Sequence, residues 1–79
     1  MDTKNISGPR IKEARVEKKM LQVDVVAILN VDFGIKLDSS AFGRIERCQR
    51  SVNDYELLAL SKILEVPLDY LLQGVDLLS

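Results

Sequence analysis

The sequence predicts a compact all-α domain built from five short helices. Its 79 residues suffice for one domain, and the 47% that are apolar can fill a single core without a metal or a disulfide. Two segments carry helix-start signals, since Pro9 precedes an apolar stripe and Asn53 stands three residues before Glu56. We therefore expect a single domain over residues 1–79, with its core in about residues 8–73.

Helix 1 is expected to run from Pro9 to about Lys19. Proline suits a first helical position because the N–H that it lacks would have no intrahelical partner there. Ile11 and Ala14 then stand at i, i+3 spacing on one face of the helix. This segment is therefore predicted to lay one apolar face on the core.

The next segment, from Gln22 to about Val31, leaves two interpretations open. It is rich in β-branched residues, which would suit a buried strand. Val25, Val26 and Leu29 nevertheless fall on one face of a helix, and the short spacing from helix 1 suits an antiparallel helical neighbour. The periodicity thus favours helix 2 over a strand.

Residues 30–38 connect this segment to the third helix. Their apolar side chains alternate with polar ones, which predicts an extended loop or a very short strand. Asp38 or Ser39 can accept hydrogen bonds from the free N–H groups at the start of a helix. Helix 3 is therefore expected to begin there and to end near Arg47 or Cys48.

Helix 3 combines an apolar face with a polar one. Phe42 and Ile45, at i, i+3 spacing, suit a core. The opposite face is made of small or polar residues: Ser39, Ser40, Gly43, Arg44 and Arg47. Hydroxyl groups and an arginine can approach base edges and phosphates, as readout in the major groove of DNA requires. The alternative is a solvated helix with an ordinary N-cap.

Helix 4 has the clearest signals of the five. Asn53 and Glu56 form a capping-box pattern at its start. Five apolar residues are available for its interior: Leu57, Leu58, Leu60, Ile63 and Leu64. Pro67 interrupts the pattern and reopens a short helix 5 through about Leu72, and Gly74 is expected to stop it.

Composition excludes several classes of function. Cys48 is the one cysteine and histidine is absent, so an intramolecular disulfide, a Cys/His zinc site and imidazole catalysis are all excluded. Asp54 and Glu56 need no catalytic or metal role, because acidic residues in a first helical turn complement the helix dipole. We expect no catalytic residue, no metal and no cofactor. Without an apolar run of about 18 residues or a signal peptide, we expect a cytoplasmic chain with no membrane partner.

Charge is distributed unevenly along the chain, although its formal net charge is only −1. Residues 1–50 hold ten basic and seven acidic residues, a net charge of +3. Residues 51–79 hold one basic and five acidic residues, a net charge of −4. This segregation suits a basic half that faces DNA and an acidic half that faces solvent or a partner, although a solvated face is an alternative explanation.

Several motifs occur in an order that resembles a known family. They are Arg10-Ile11-Lys12-Glu13-Ala14-Arg15, then Gln22, then Arg44-Ile45-Glu46, and finally the stretch from Glu56 to Leu72. Together they resemble the XRE family, the phage repressor and Cro type of DNA-binding protein, over about residues 8–73. The resemblance implies a lambda-repressor-like domain whose helices 2 and 3 form a helix-turn-helix.

The resemblance also implies which residues face double-stranded DNA. The first residues of helix 3 enter the major groove in this family, which implies Ser39, Ser40 and Ala41, followed one turn later by Gly43 and Arg44. Arg44 can either bind guanine O6 and N7 in a fork or hold a phosphate, and the sequence does not decide between them.

Other residues are implied as contacts to the DNA backbone or as structural supports. The backbone contacts are Gln22 at the start of helix 2, Arg10 in helix 1, Lys36 in the connection, and Arg47, Gln49 and Arg50 after helix 3. Arg15 and Glu46 match the family's buried ion pair between helices 1 and 3. The chain departs from the family in its helix 2–3 connection, which is predicted to be about six residues longer than a tight turn of 3–4 residues. The preferred explanation is a longer helix 2 with a packed hydrophobic connection.

The C-terminal part holds more apolar side chains than one short helix can bury. We therefore expect a homodimer whose interface includes Leu68, Tyr70, Leu71, Val75 and Leu77. The resemblance implies a sequence-specific transcriptional regulator, a repressor of prophage or other bacterial genes that acts on an operator. One alternative is an antitoxin that binds DNA and also a toxin protein. Another is a protein-interaction module that has lost DNA binding, which the acidic composition would suit.

Overall fold

The computed structural model describes residues 3–73, which fold into helices joined by turns and loops, without a strand. The all-α prediction is confirmed. In chain order the helices are α1 (Gly8–Glu17), α2 (Gln22–Asp32), α3 (Ser39–Glu46), α4 (Asp54–Leu64) and α5 (Leu68–Leu71). No helix in this part of the chain is both long and apolar enough to cross a membrane.

The first helix begins one residue before its predicted start and ends two residues before its predicted end. Gly8 is the first helical residue, so Pro9 occupies the second position of α1 instead of the first. At the other end, Lys18 closes the helix, and Lys19 turns the chain with a φ of 58°. The N–H of Lys18 donates to the carbonyl of Ala14, which satisfies a carbonyl of the last turn.

The ambiguous second segment is a helix, and it extends to Asp32. The connection therefore contains residues 33–38, so it exceeds a tight turn of 3–4 residues by two or three residues and not by about six, and it is not a short strand. This connection packs on the domain, because Leu37 is buried and the N–H of Ile35 donates to the carbonyl of Leu29. Three of the nine residues predicted to be connection, 30–32, therefore belong to the helix, which agrees with a longer helix 2 followed by a packed connection.

The starts of α3 and α4 are fixed by side-chain caps. Asp38 Oδ1 accepts a hydrogen bond from the N–H of Ala41 at 2.7 Å, so Asp38 and not Ser39 is the cap of α3. Asn53 and Glu56 form the predicted capping box, with N···O distances of 2.8 and 3.1 Å. Pro67 precedes α5 as its N-cap. The predicted stop at Gly74 lies outside the described residues.

A single apolar core holds the helices together. α2 packs on α3 and α4, and α1 packs on α3, α4 and α5. The largest side chains in the core are almost inaccessible to solvent: Ile11, Val25, Leu29, Phe42, Ile45, Leu60, Leu64 and Leu71. Because Phe42 and Ile45 point into this core, the opposite side of α3 is held at the surface.

Candidate nucleic-acid interface

The exposed side of α3 carries Ser40 and Arg44, one turn apart. Arg44 Nη1 donates a hydrogen bond to Ser40 Oγ at 3.2 Å. This contact occupies one of the five N–H donors of the guanidinium group and leaves the others available to a ligand. Ser39, at the start of the helix, is half-buried. A hydroxyl and a cation are therefore held together on a helix whose other side is anchored in the core.

Two residues predicted to contact bases are not at the surface. Ala41 is buried and belongs to the apolar core, so its predicted base contact is wrong. Ala41 and its neighbour Phe42 both lie on the side of α3 that packs in the core. Gly43 is also buried, because Gln22 and Arg47 cover it: a Cβ at position 43 would lie 3.3 Å from Arg47 Nη1 and 3.8 Å from Gln22 Nε2. Gly43 therefore lies beneath the candidate surface.

Beside this exposed side, a group that we call the polar junction consists of Arg15, Gln22 and Glu46. Arg15 binds the Glu46 carboxylate in a fork, with N···O distances of 2.6 and 3.1 Å. Gln22 Nε2 donates to Glu46 Oε1 at 2.9 Å. One carboxylate at the end of α3 thereby connects the start of α2 and the last turn of α1. It fixes α3 relative to both neighbouring helices.

Burial makes this junction rigid. The Glu46 side chain is only 3% exposed and that of Arg15 is 11% exposed. A charge removed from water is stable only when it is paired and hydrogen-bonded, so neither side chain can leave the pair without a large cost. The pair also fixes the Gln22 amide, which keeps a second N–H for another acceptor. A phosphate oxygen is an acceptor of the right kind.

The loop after α3 contributes two more exposed polar side chains. Arg47 Nε donates to Gln49 Oε1 at 3.3 Å, and both residues are exposed. Because Arg47 also lies against Gly43, it is next to Gln22. We use the name α3 patch for the exposed or half-exposed residues Ser40, Arg44, Arg47 and Gln22. Its formal charge is +2, so the patch is electrostatically suited to an anionic ligand.

Arg50 was predicted to contact the DNA backbone but holds α4 instead. Its guanidinium group binds the buried Glu56 carboxylate in a fork, at 3.1 and 3.2 Å. It also donates to the carbonyl of Ser51 at 2.9 Å. Since Glu56 neutralises the charge of Arg50, this side chain is a support for the start of α4 and not a free cation.

The two remaining backbone candidates are Arg10 and Lys36. Arg10 pairs with Glu13 at 3.4 Å, and its guanidinium carbon lies 5.4 Å from the centre of the Tyr70 ring in α5. Arg10 thus joins α1 to α5. Lys36 is exposed in the connection before α3. Among residues 3–73, no group of three Cys, Asp or Glu side chains has the arrangement of a metal site.

The predicted dimer residues divide into three groups. Leu71 is fully buried in the core, so it cannot meet a second chain, and this part of the prediction is wrong. Leu68 is exposed, and Tyr70 is half-buried beside Arg10. Val75 and Leu77 lie outside the described residues.

A second set of contacts, which the sequence did not predict, also positions α3. Asn5 is buried, and its amide donates to the carbonyls of Ile45 and Arg50 at 3.0 and 2.7 Å. Its Oδ1 accepts from the N–H of Gly8, the first residue of α1, at 2.7 Å. A side-chain bond over three residues is local, so the Asn before the helix is a signal that could have been found in the sequence. The long-range contacts to Ile45 and Arg50 had no such signal.

No family model, curated protein or solved structure matches this chain. Its residues and their geometry are therefore the basis on which a function can be proposed.

Proposed function

We propose that this chain is a sequence-specific DNA-binding domain that regulates transcription, and that the α3 patch is its DNA-contacting surface. The observation that carries the proposal is the division of α3 into two sides. Phe42 and Ile45 are fully buried in the core, whereas Arg44 and Ser40 are exposed and joined by a hydrogen bond. A short helix anchored in this way can enter the major groove without moving in the domain.

The charges near α3 support the same ligand. Arg44 and Arg47 have no carboxylate partner among residues 3–73, whereas Arg15 and Arg50 each bind a buried carboxylate. Of the five arginines, the two without a carboxylate partner among the described residues therefore both belong to the α3 patch. Contacts to phosphates would hold the domain on the duplex, and contacts to base edges would select the sequence.

Each residue of the patch has a distinct role in this proposal. Arg44 reaches a base edge, with guanine as the preferred partner because its O6 and N7 accept two N–H donors of a guanidinium fork. Ser40 orients Arg44 through the hydrogen bond between them. Gln22 and Arg47 bind phosphates. Bound to a promoter in the cytoplasm, such a domain would repress transcription by excluding the polymerase.

The proposal is tested by fluorescence anisotropy with the purified chain. Duplex fragments from upstream of its own gene and scrambled duplexes of equal length are titrated over a salt series. We expect tighter binding to one natural sequence, with an affinity that falls steeply with salt because counterions are released from DNA. Arg44→Ala should weaken specific binding by about 5- to 150-fold, which corresponds to about 1–3 kcal/mol.

Lys12→Ala is the matched control, because Lys12 is exposed on α1 and its replacement removes the same charge. If both variants lose affinity equally, the effect comes from net charge and the specific role of Arg44 is refuted. Absent or salt-insensitive binding by the parent chain would refute DNA binding. The protein-interaction alternative would then remain, whereas co-purification of a small toxic protein together with DNA binding would identify an antitoxin.

A further inference from the structure

We infer that the exposed face of α4 is a homodimer interface in which two copies of the helix pack antiparallel about Leu58. This surface differs from the one predicted on α5 and the tail, and the inference does not depend on DNA binding. It goes beyond the proposed function because it assigns a partner to a part of the domain that the α3 patch does not use.

Leu58 lies on the outer side of α4. The helix buries Ala59, Leu60 and Leu64 against the domain, and this leaves Leu58 with 44% of its surface exposed. Tyr55, one turn earlier, is 77% exposed. A large aliphatic and a large aromatic side chain therefore stand next to each other in water, where their burial by a partner would be favourable.

A groove runs beside these side chains. Asp54, Tyr55 and Leu58 line it from α4, and Leu68 lines it from α5. Its walls are mainly apolar, and Asp54 contributes one carboxylate to them. An occupant must therefore bring an aliphatic side chain to the groove and a cation to Asp54.

α4 itself carries this combination of side chains. Asp54, Leu58 and Lys62 are all exposed and follow one another at four-residue spacing, so they form one stripe along the helix. When two such stripes run antiparallel with Leu58 at the two-fold axis, Asp54 of one copy comes opposite Lys62 of the other. The same pairing repeats on the other side of the axis. Leu58 of each copy then meets the groove of its partner.

This self-complementarity favours a second copy over an unrelated protein as the occupant. A parallel arrangement would place like charges opposite each other and is excluded on that ground. Because α4 has 11 residues, the shared surface is short, and we expect a reversible dimer and not a permanent one. Interfaces of this small class dissociate on dilution.

Sedimentation equilibrium of the full chain without DNA tests the inference at low ionic strength. We expect the mass to rise with concentration from the 8.9 kDa of one chain toward twice that value. Asp54→Lys alone and Lys62→Asp alone should each weaken the dimer by about tenfold, since each replaces two attractive pairs with two repulsive ones. A mixture of the two variants should dimerise again, because every Lys then faces an Asp.

The mixture is the decisive measurement, because a variant whose helix is merely weakened cannot be restored by another weakened chain. Leu58→Lys should abolish the dimer, whereas Val31→Lys should not. Val31 is a suitable control because it is an 81% exposed apolar residue on α2. Thermal unfolding of each variant verifies that it is folded. A parent chain that stays monomeric, a mixture that does not dimerise, or a folded Leu58→Lys variant that still dimerises would each overturn the inference.

Discussion

Two ion pairs join α1 or its C-cap residue to another helix or its C-cap residue, and they differ in what surrounds them. At the polar junction, Arg15 and Glu46 are 11% and 3% exposed and bind each other through two hydrogen bonds. At the outer edge of the domain, Lys18 and Glu65 are 33% and 68% exposed and meet through one. Their shortest N···O distances, 2.6 and 2.8 Å, are similar.

Burial, and not distance, therefore decides how much a charged contact contributes to the stability of this domain. Water screens the outer pair and solvates either partner when the other is removed. Water cannot replace a missing partner in the inner pair, so the loss of one partner leaves the other charge buried and unpaired. The inner pair, unlike the outer one, can therefore help Asn5 to hold α3 in a fixed position relative to α1 and α2. Substitutions at the two pairs, and at Gly8, where α1 begins against the carbonyls of Ile45 and Glu46, should differ accordingly in their effects.

Arg15→Ala is expected to cause the largest loss. It leaves the Glu46 carboxylate buried without its main partner and removes a further hydrogen bond from Arg15 Nη1 to the carbonyl of Met20. Breaking such a pair costs about 3–5 kcal/mol, a large part of the stability of a small domain. Urea denaturation followed by circular dichroism measures the change in the free energy of unfolding.

The same variant separates structural from direct effects on DNA. Because Arg15 lies in the polar junction and not in the α3 patch, its replacement should weaken DNA binding through the loss of stability and not through the loss of a DNA contact. A variant as stable as the parent that no longer bound DNA would contradict this assignment and would make Arg15 a contact residue.

Gly8→Ala is expected to cause the next largest loss, because α1 begins very close to the end of α3. A Cβ at this position would overlap the carbonyl oxygen of Ile45 and lie 2.8 Å from that of Glu46. Both are backbone atoms that cannot rotate away, so we expect a loss of about 1–3 kcal/mol in the free energy of unfolding.

Gly34→Ala is the matched control for this close approach. Gly34 has a φ of +65°, and no atom lies within 4 Å of the point that a Cβ would occupy, so its replacement adds backbone strain of about 1 kcal/mol without a clash. Chemical denaturation of both variants gives the comparison. Equal losses would show that the contact between α1 and α3 relaxes freely, and the polar junction would then be less rigid than we describe.

Local signals in the sequence account for most of the fold. The caps at Asp38 and Asn53 accept hydrogen bonds from N–H groups three residues away, so residues that are close in the sequence are enough to predict them. The position at which α2 ends was harder to predict from the sequence. Its β-branched residues favour a strand locally, but Val25 and Leu29 are buried on one face, and packing on α3 and α4 stabilises a helix through Asp32.

The candidate site was less predictable, because a side chain can face either a ligand or a neighbouring helix. Arg50 and Arg44 are both arginines near the end of α3, yet Arg50 binds the buried Glu56 whereas Arg44 stays exposed. Ala41 had the small size that suits a groove, but its turn of α3 faces the core. Partners at long sequence separation decide such cases, and no local pattern encodes them.

The outer pair should produce the smallest effect, and a titration can detect it. The hydrogen bond from Lys18, followed by its positive charge, lowers the pKa of Glu65 below its ordinary value of 4.5. A carboxyl group whose pKa is lower in the folded state adds stability above its unfolded pKa, and this contribution disappears as the pH falls through the folded pKa. Because Glu65 is exposed, the loss of stability below pH 4.5 should be slight.

Carboxyl NMR should show the Glu65 pKa returning to its ordinary range in Lys18→Met but not in Lys12→Met. An unchanged Glu65 pKa in Lys18→Met would mean that the outer pair does not persist in solution, and the contrast with the polar junction would then be larger still.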